Sequence, residues 1–158
     1  MKNSPPILVT RTPHGVQRGL VVIELAITLP LVLLIMLATA EFGRAFYQYT
    51  TLSKAVETGT RYYASTALDN TIPVATKVST IENLVVFGSP AAGGTSILPG
   101  FNNSNVTEIS SVGPVGTVPA DHVRVTADYT FVPIIGRLPI FGTVSNFTMT
   151  ASHTMRVL

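Results

Sequence analysis

The sequence predicts an α+β protein, in which one long N-terminal transmembrane helix continues into a small extracytoplasmic head with a short helix and an antiparallel sheet. Three observations predict this class: a charge-free apolar run, apolar residues at helical spacing after it, and strict alternation near the C-terminus. The 158 residues allow about one domain of ordinary size beyond the membrane segment. We therefore expect a leader at 1–19, a transmembrane segment at 20–40 and a head at 41–158.

The transmembrane prediction rests on residues 20–40, which have no charge after Glu24. At about 1.5 Å per residue this segment reaches roughly 30 Å, the thickness of a bilayer core. A carboxylate near the edge of such a segment is costly, so Glu24 requires a partner. The leader carries Lys2, Arg11 and Arg18 without an acidic residue, which predicts a cytoplasmic N-terminus and an external head.

Two other interpretations of the N-terminus are open. A cleaved secretory signal peptide would use Ala38-Thr39-Ala40 as its small-x-small site, but its apolar region would be shorter and without Glu24. An uncleaved signal anchor with no further role fits the same residues.

The long helix is predicted from Leu20 to near Ala64, with Pro30 as a kink and Gly59 as a weak point in the exposed half. After the membrane its apolar residues recur at three- and four-residue steps. They are Phe42, Ala45, Phe46, Tyr49, Leu52, Val56 and Tyr63.

A second, short helix is predicted from about Pro73 to Val86. It has Pro73 at its first position, and the run Gly88-Ser89-Pro90 ends it. Residues 91–104, rich in Gly, Ser, Asn and Pro, predict a long surface loop, which we expect to be the most flexible part.

Two later segments alternate as strands do, and residues 106–112 predict a third, less regular strand. The apolar face of the resulting sheet must be covered, and the long helix offers a matching stripe. The residues predicted to face inwards are Val123, Val125, Ala127, Tyr129 and Phe131 in one segment and Phe147, Met149, Ala151, His153, Met155 and Val157 in the other.

Catalysis, metal binding and nucleic-acid binding have little support in the sequence. The chain has no cysteine, its three histidines show no metal-ligand spacing, and its arginines are too scattered for a basic stripe. Asp121 and Asp128 would lie roughly 23 Å apart on one strand, too far for joint acid-base work. We expect His153 to be a core or edge histidine, and we predict neither enzyme activity nor a cofactor.

A motif stands at the start of the membrane segment and continues just after it. It reads Arg18-Gly19-Leu20-Val21-Val22-Ile23-Glu24-Leu25-Ala26-Ile27-Thr28-Leu29-Pro30, and then Glu41-Phe42-Gly43-Arg44. These residues resemble the TadE-like family, the pseudopilins of the tight-adherence (Flp) pilus system. The position after the glutamate, often aromatic in this system, is Leu25 here. The end of the chain, Thr148 to Arg156, is similar to the family's usual ending.

The resemblance implies a bacterial inner-membrane protein with a pilin-like fold, cleaved by a prepilin peptidase after Gly19. Leu20 would be the new N-terminus of a 139-residue chain, and Glu24 would act in assembly by pairing with the ammonium of a neighbouring Leu20. Implied partners are other pilins or pseudopilins, inner-membrane pilus assembly components and membrane lipid, and not nucleic acid.

The implied function is that of a minor pseudopilin in assembly of a pilus used in adhesion and biofilm formation. The alternative is a signal-anchored binding module unrelated to pili, which would recognise its ligand through residues 91–104.

Overall fold

Helix α1 spans Gly15–Thr66 in the computed structural model and includes Pro30 in its interior. The structure describes residues 15–112, 121–134, 136–138, 142–143 and 145–157. The predicted long helix is confirmed, although it begins before Leu20. By its contacts the chain divides into two units, one ending at Ala40 and the other comprising Glu41–Leu158.

The buried face of α1 after Ala40 differs in part from the predicted stripe. Leu52 and Val56 are fully buried, as predicted. Phe42 and Phe46, however, are 68% and 69% exposed, and Gln48 is buried in their place. The predicted helical spacing is therefore correct, but the predicted stripe includes residues from two faces of the helix. Only one of these faces packs in the head.

Helix α2 spans Val74–Phe87 and confirms the predicted short helix. Pro73 is its N-cap and not its first residue, and no side chain caps it. Gly88 ends the helix in the left-handed conformation at φ 67°, and its N–H donates to the Leu84 carbonyl. A residue with a Cβ would be strained there, which explains the glycine.

Gly59 lies directly against α2, and it is not a weak point of an exposed helix. It is buried, and a Cβ at this position would lie 2.6 Å from Cγ2 of Val85, itself fully buried. The glycine thus lets the two helices meet.

The predicted surface loop, residues 91–104, is confirmed only in its first part, and its flexibility stays a prediction. Residues 91–95 are exposed, but Leu98 and Phe101 are 1% and 3% exposed. Tyr129 donates a hydrogen bond to the Pro99 carbonyl at 3.1 Å, and its ring meets Phe101 edge to face at 6.0 Å. The second half is therefore anchored to the core by Leu98 and Phe101, and it continues into a 3-10 turn at Asn103–Asn105.

The strands form a three-stranded antiparallel sheet in the order β1-β2-β5 and a separate two-stranded ribbon β3-β4, which the sequence did not predict. A register shift between Val106 and Glu108 accounts for the irregularity of the first strand. The bounds are β1 Val106–Val112, β2 His122–Phe131, β3 Arg137–Leu138, β4 Gly142–Thr143 and β5 Phe147–Arg156.

The core of the head forms where α1 and α2 cover one face of this sheet. The five predicted inward residues of β2 are all buried, as are Met149 and Ala151 of β5, whereas Phe147 is 48% exposed. Leu52 and Val56 of α1, together with Ile81 and Val85 of α2, belong to the same cluster. The α+β class is thus confirmed, with helices packed on an antiparallel sheet.

We predict that Gly59→Ala destabilises the head. The added methyl gains about 1 kcal/mol of helix propensity, but overpacking against Val85 costs about 1–3 kcal/mol, so a net loss of about 1 kcal/mol is expected. Denaturant unfolding of the full-length protein in mild detergent measures it.

Gly43→Ala is the matched control, because a Cβ at Gly43 meets no atom within 4 Å. It should leave stability unchanged or raise it. Equal effects of the two substitutions would contradict the close approach at Gly59.

Tyr129 supplies a pH-dependent prediction. Burial raises the pKa of its hydroxyl, against a smaller lowering by Arg44. Because the folded state favours the neutral phenol, the stability it contributes is present below about pH 10 and is lost as pH rises through the folded-state pKa. The difference in phenolate absorbance between the wild-type protein and Tyr129→Phe reports on this hydroxyl, and it should therefore titrate above about pH 10. A midpoint at or below that value would contradict the burial of this hydroxyl.

Candidate functional site

The first half of α1 exposes apolar side chains on all sides. Most of its large apolar residues have exposed fractions between 41% at Leu37 and 71% at Ile27, whereas Leu34 is half-buried. The hydroxyls of Thr28 and Thr39 donate to carbonyls one turn earlier, each at 2.9 Å, so these polar groups are satisfied within the helix. A contiguous apolar surface of this size requires a non-aqueous environment or a partner.

Of the described residues, a single helix is long and apolar enough to cross a membrane, and no residue of its most apolar window is buried. The core helix of a soluble protein would instead be mostly buried. This helix suggests a single-pass membrane anchor.

Gly19, Leu20 and Glu24 lie on this exposed part of α1. A Cβ at Gly19 would meet no atom within 4 Å, and Leu20 is 70% exposed. Within the described part of the chain, the Glu24 carboxylate makes no hydrogen bond or ion pair, although the Glu24 carbonyl accepts from Thr28. The predicted roles of these three residues in processing and assembly remain predictions.

A second feature is the pair Glu41 and Arg44 at the start of the head. The Arg44 Nη2 and Nε atoms donate to Oε2 of Glu41 at 2.9 and 3.2 Å. Nη2 also donates to the Val132 carbonyl at 2.6 Å, and Oε1 of Glu41 accepts from the Ile134 N–H at 2.8 Å. The two side chains thus fasten the first turn of the head helix to the residues that follow β2.

The environment of Arg44 supports this role. Its guanidinium carbon lies 4.4 Å from the ring centroid of Phe131, the last residue of β2. The side chains of Arg44 and Glu41 are only 28% and 19% exposed. Charge-assisted bonds at this depth are stronger than those of an exposed pair. We call Glu41 and Arg44 the helix-sheet clamp.

In the sequence, Glu41 and Arg44 belong to the motif that resembles the TadE-like family. The local signal, a Glu and an Arg three residues apart, indicates an ordinary surface pair. It does not indicate the bonds to Val132 and Ile134, which lie about ninety residues later in the chain.

The structure brings no catalytic constellation together in the described residues. Asp121 pairs with Nδ1 of His122 at 2.7 Å, whereas Asp128 accepts from Thr150. His153 is half-buried, as expected of a core or edge residue, but its Nδ1 has no hydrogen-bond partner. Among the described residues, no three His, Asp or Glu side chains gather as a metal site.

The fold defines a small α+β head that follows a long apolar helix, and this helix suggests a membrane-anchored class of protein. Residues 19–61 match the family model of the TadE-like proteins, which confirms the resemblance over the apolar helix and the first turns of the head. No curated protein and no solved structure matches the chain. The TadE-like family is a pilus-associated structural family, and it points to involvement in a Tad pilus system and to association with pilus assembly proteins.

We predict that Arg44→Met destabilises the head by about 1–3 kcal/mol, because it removes charge-assisted hydrogen bonds and leaves the Glu41 carboxylate without its cation. Unfolding in detergent, followed by tyrosine fluorescence, measures the loss.

Arg61→Met is the control, since Arg61 pairs with Glu57 one turn away at 2.8 Å and is 67% exposed. Its effect should lie within about 0.5 kcal/mol. If both arginines can be replaced at the same low cost, the clamp contributes nothing to the head.

Proposed function

We propose that the protein is a minor pseudopilin that takes part in assembly of a tight-adherence (Flp) pilus, used in surface adhesion and biofilm formation. One observation carries the proposal: the segment that matches the TadE-like family is also the helix that exposes its apolar surface. On this helix the Glu24 carboxylate has no partner among the described residues. A helix of this kind is suited to a bilayer and to packing beside similar helices.

The proposed location is the bacterial inner membrane. The basic residues Lys2, Arg11 and Arg18 favour a cytoplasmic leader, and the head, near neutral in charge, would lie in the periplasm. A prepilin peptidase would cut between Gly19 and Leu20.

Cleavage at that bond would create the partner that Glu24 lacks. The new ammonium of Leu20 in one subunit would pair with the Glu24 carboxylate of the next as their apolar helices pack side by side. Burying the two charges together costs less than burying the carboxylate alone, so the pair would favour one register of the helices.

We expect Glu24→Gln to reduce co-purification of the protein with other pilus components by more than half. Gln keeps the size of the side chain and removes the charge that the ammonium would pair with. The measurement is affinity capture from detergent-solubilised membranes of the native bacterium, followed by mass spectrometry.

Glu57→Gln serves as the matched control, because Glu57 lies on the same helix but pairs with Arg61. It should leave association unchanged. Capture of no pilus component by the wild-type protein would refute the pseudopilin proposal, whereas normal capture by the Glu24 variant would refute only the role of the charge.

A further inference from the structure

Five exposed apolar side chains lie at the level of the helix-sheet clamp. Phe42 and Phe46 are on α1, in the first and second turns of the head. Val132 and Ile134 follow β2, and Phe147 begins β5. Their exposed fractions are 68% and 69% for the two helix residues and 57%, 78% and 48% for the others. We call these five residues the apolar collar.

The helix-sheet clamp holds part of the apolar collar beside the first turn of the head helix. Glu41 accepts the Ile134 N–H, and Arg44 binds the Val132 carbonyl, so both collar residues after β2 lie beside the first turn of the head helix. The Phe147 ring packs on the Phe131 ring, with their centroids 5.0 Å apart, and the Arg44 guanidinium lies over the Phe131 ring. Residues distant in sequence therefore expose apolar groups at one end of the head.

We propose that the apolar collar inserts into the lipid headgroup layer, so that the head rests on the membrane surface through these side chains. The inference rests on the membrane anchor of the proposed function. If the span ends at Ala40, Phe42 lies roughly 3 Å and Phe46 roughly 9 Å beyond its end at 1.5 Å per residue, and both side chains lean back toward the span, as side chains on a helix do. The headgroup layer is about 5–8 Å thick on each side. Aromatic residues favour this layer, because it accommodates a largely apolar ring near water.

Charge at this level also fits a lipid surface. Glu41 and Arg44 neutralise each other, so the end of the head brings no unpaired charge of this pair to the membrane. Attraction by anionic lipid is therefore not required, in contrast to a polybasic contact. Burial of apolar area supplies the driving force.

The test uses single-cysteine labelling of the full-length protein in nanodiscs, which is clean because the chain has no cysteine of its own. Ile134→Cys and Phe46→Cys place an environment-sensitive fluorophore in the collar. Leu68→Cys is the control, since Leu68 is 68% exposed and follows the end of α1, roughly 35 Å of helix beyond Glu41. Val32→Cys reports on the span itself.

In discs of phosphatidylcholine that hold one protein each, nitroxides near the headgroups should quench both collar labels and leave the Leu68 label unquenched. Adding anionic lipid should change neither result. The collar proposal would be overturned if the collar labels were as unquenched as the Leu68 label while nitroxides in the acyl chains quenched the Val32 label. In that case the membrane anchor would remain intact.

Two other outcomes also overturn the proposal. Collar labels that leave water only when a disc holds several copies would identify a second copy of this chain as the occupant. A Val32 label that no acyl-chain nitroxide quenches would remove the membrane anchor, and with it both the collar and the proposed function.

Discussion

The constraint on which the structure depends is that one helix must satisfy two surroundings. Before Ala40, α1 exposes large apolar side chains on every side, and no described part of the chain covers them. After Glu41 the same helix buries one face, through Leu52 and Val56, against a sheet. The first arrangement is stable only in an apolar medium, and the second is that of an ordinary water-soluble domain.

Two sets of contacts hold the second half of α1 in the head. Gly59 lets α1 approach α2 closely, which a larger residue would prevent. Arg44 and Glu41 bind the backbone at the end of β2, so the sheet is fixed to the helix at its first turn as well as through the core. Loss of either contact would loosen the head without altering the apolar half of the helix.

Much of the fold could be predicted from the sequence, because its main elements follow local periodicities. The alternation in β2 and β5 correctly assigns the buried face, and the glycine at position 88 correctly marks the end of α2. Long-range contacts could not be predicted in this way. The polar, glycine-rich composition of residues 91–104 does not indicate that Leu98 and Phe101 are buried. Their burial depends on Tyr129, some thirty residues later.

The candidate site was predicted unevenly for the same reason. Gly19, Leu20 and Glu24 form a local motif, which is visible in sequence and lies in the segment that matches the family. The clamp depends on bonds between the helix and the end of β2, and its two residues resemble a common surface pair. Helical spacing also placed Phe42 and Phe46 on the buried stripe, since a period of 3.6 residues does not indicate which of two apolar faces meets the sheet.

The most direct test of the account is the N-terminal residue and intact mass of the protein extracted from membranes of cells with and without a prepilin peptidase. The account predicts a chain that begins at Leu20 only when the peptidase is present, which provides the ammonium that Glu24 requires. A chain that begins at Met1 in both cells would contradict it, and would favour a plain signal anchor in which Glu24 has no such partner.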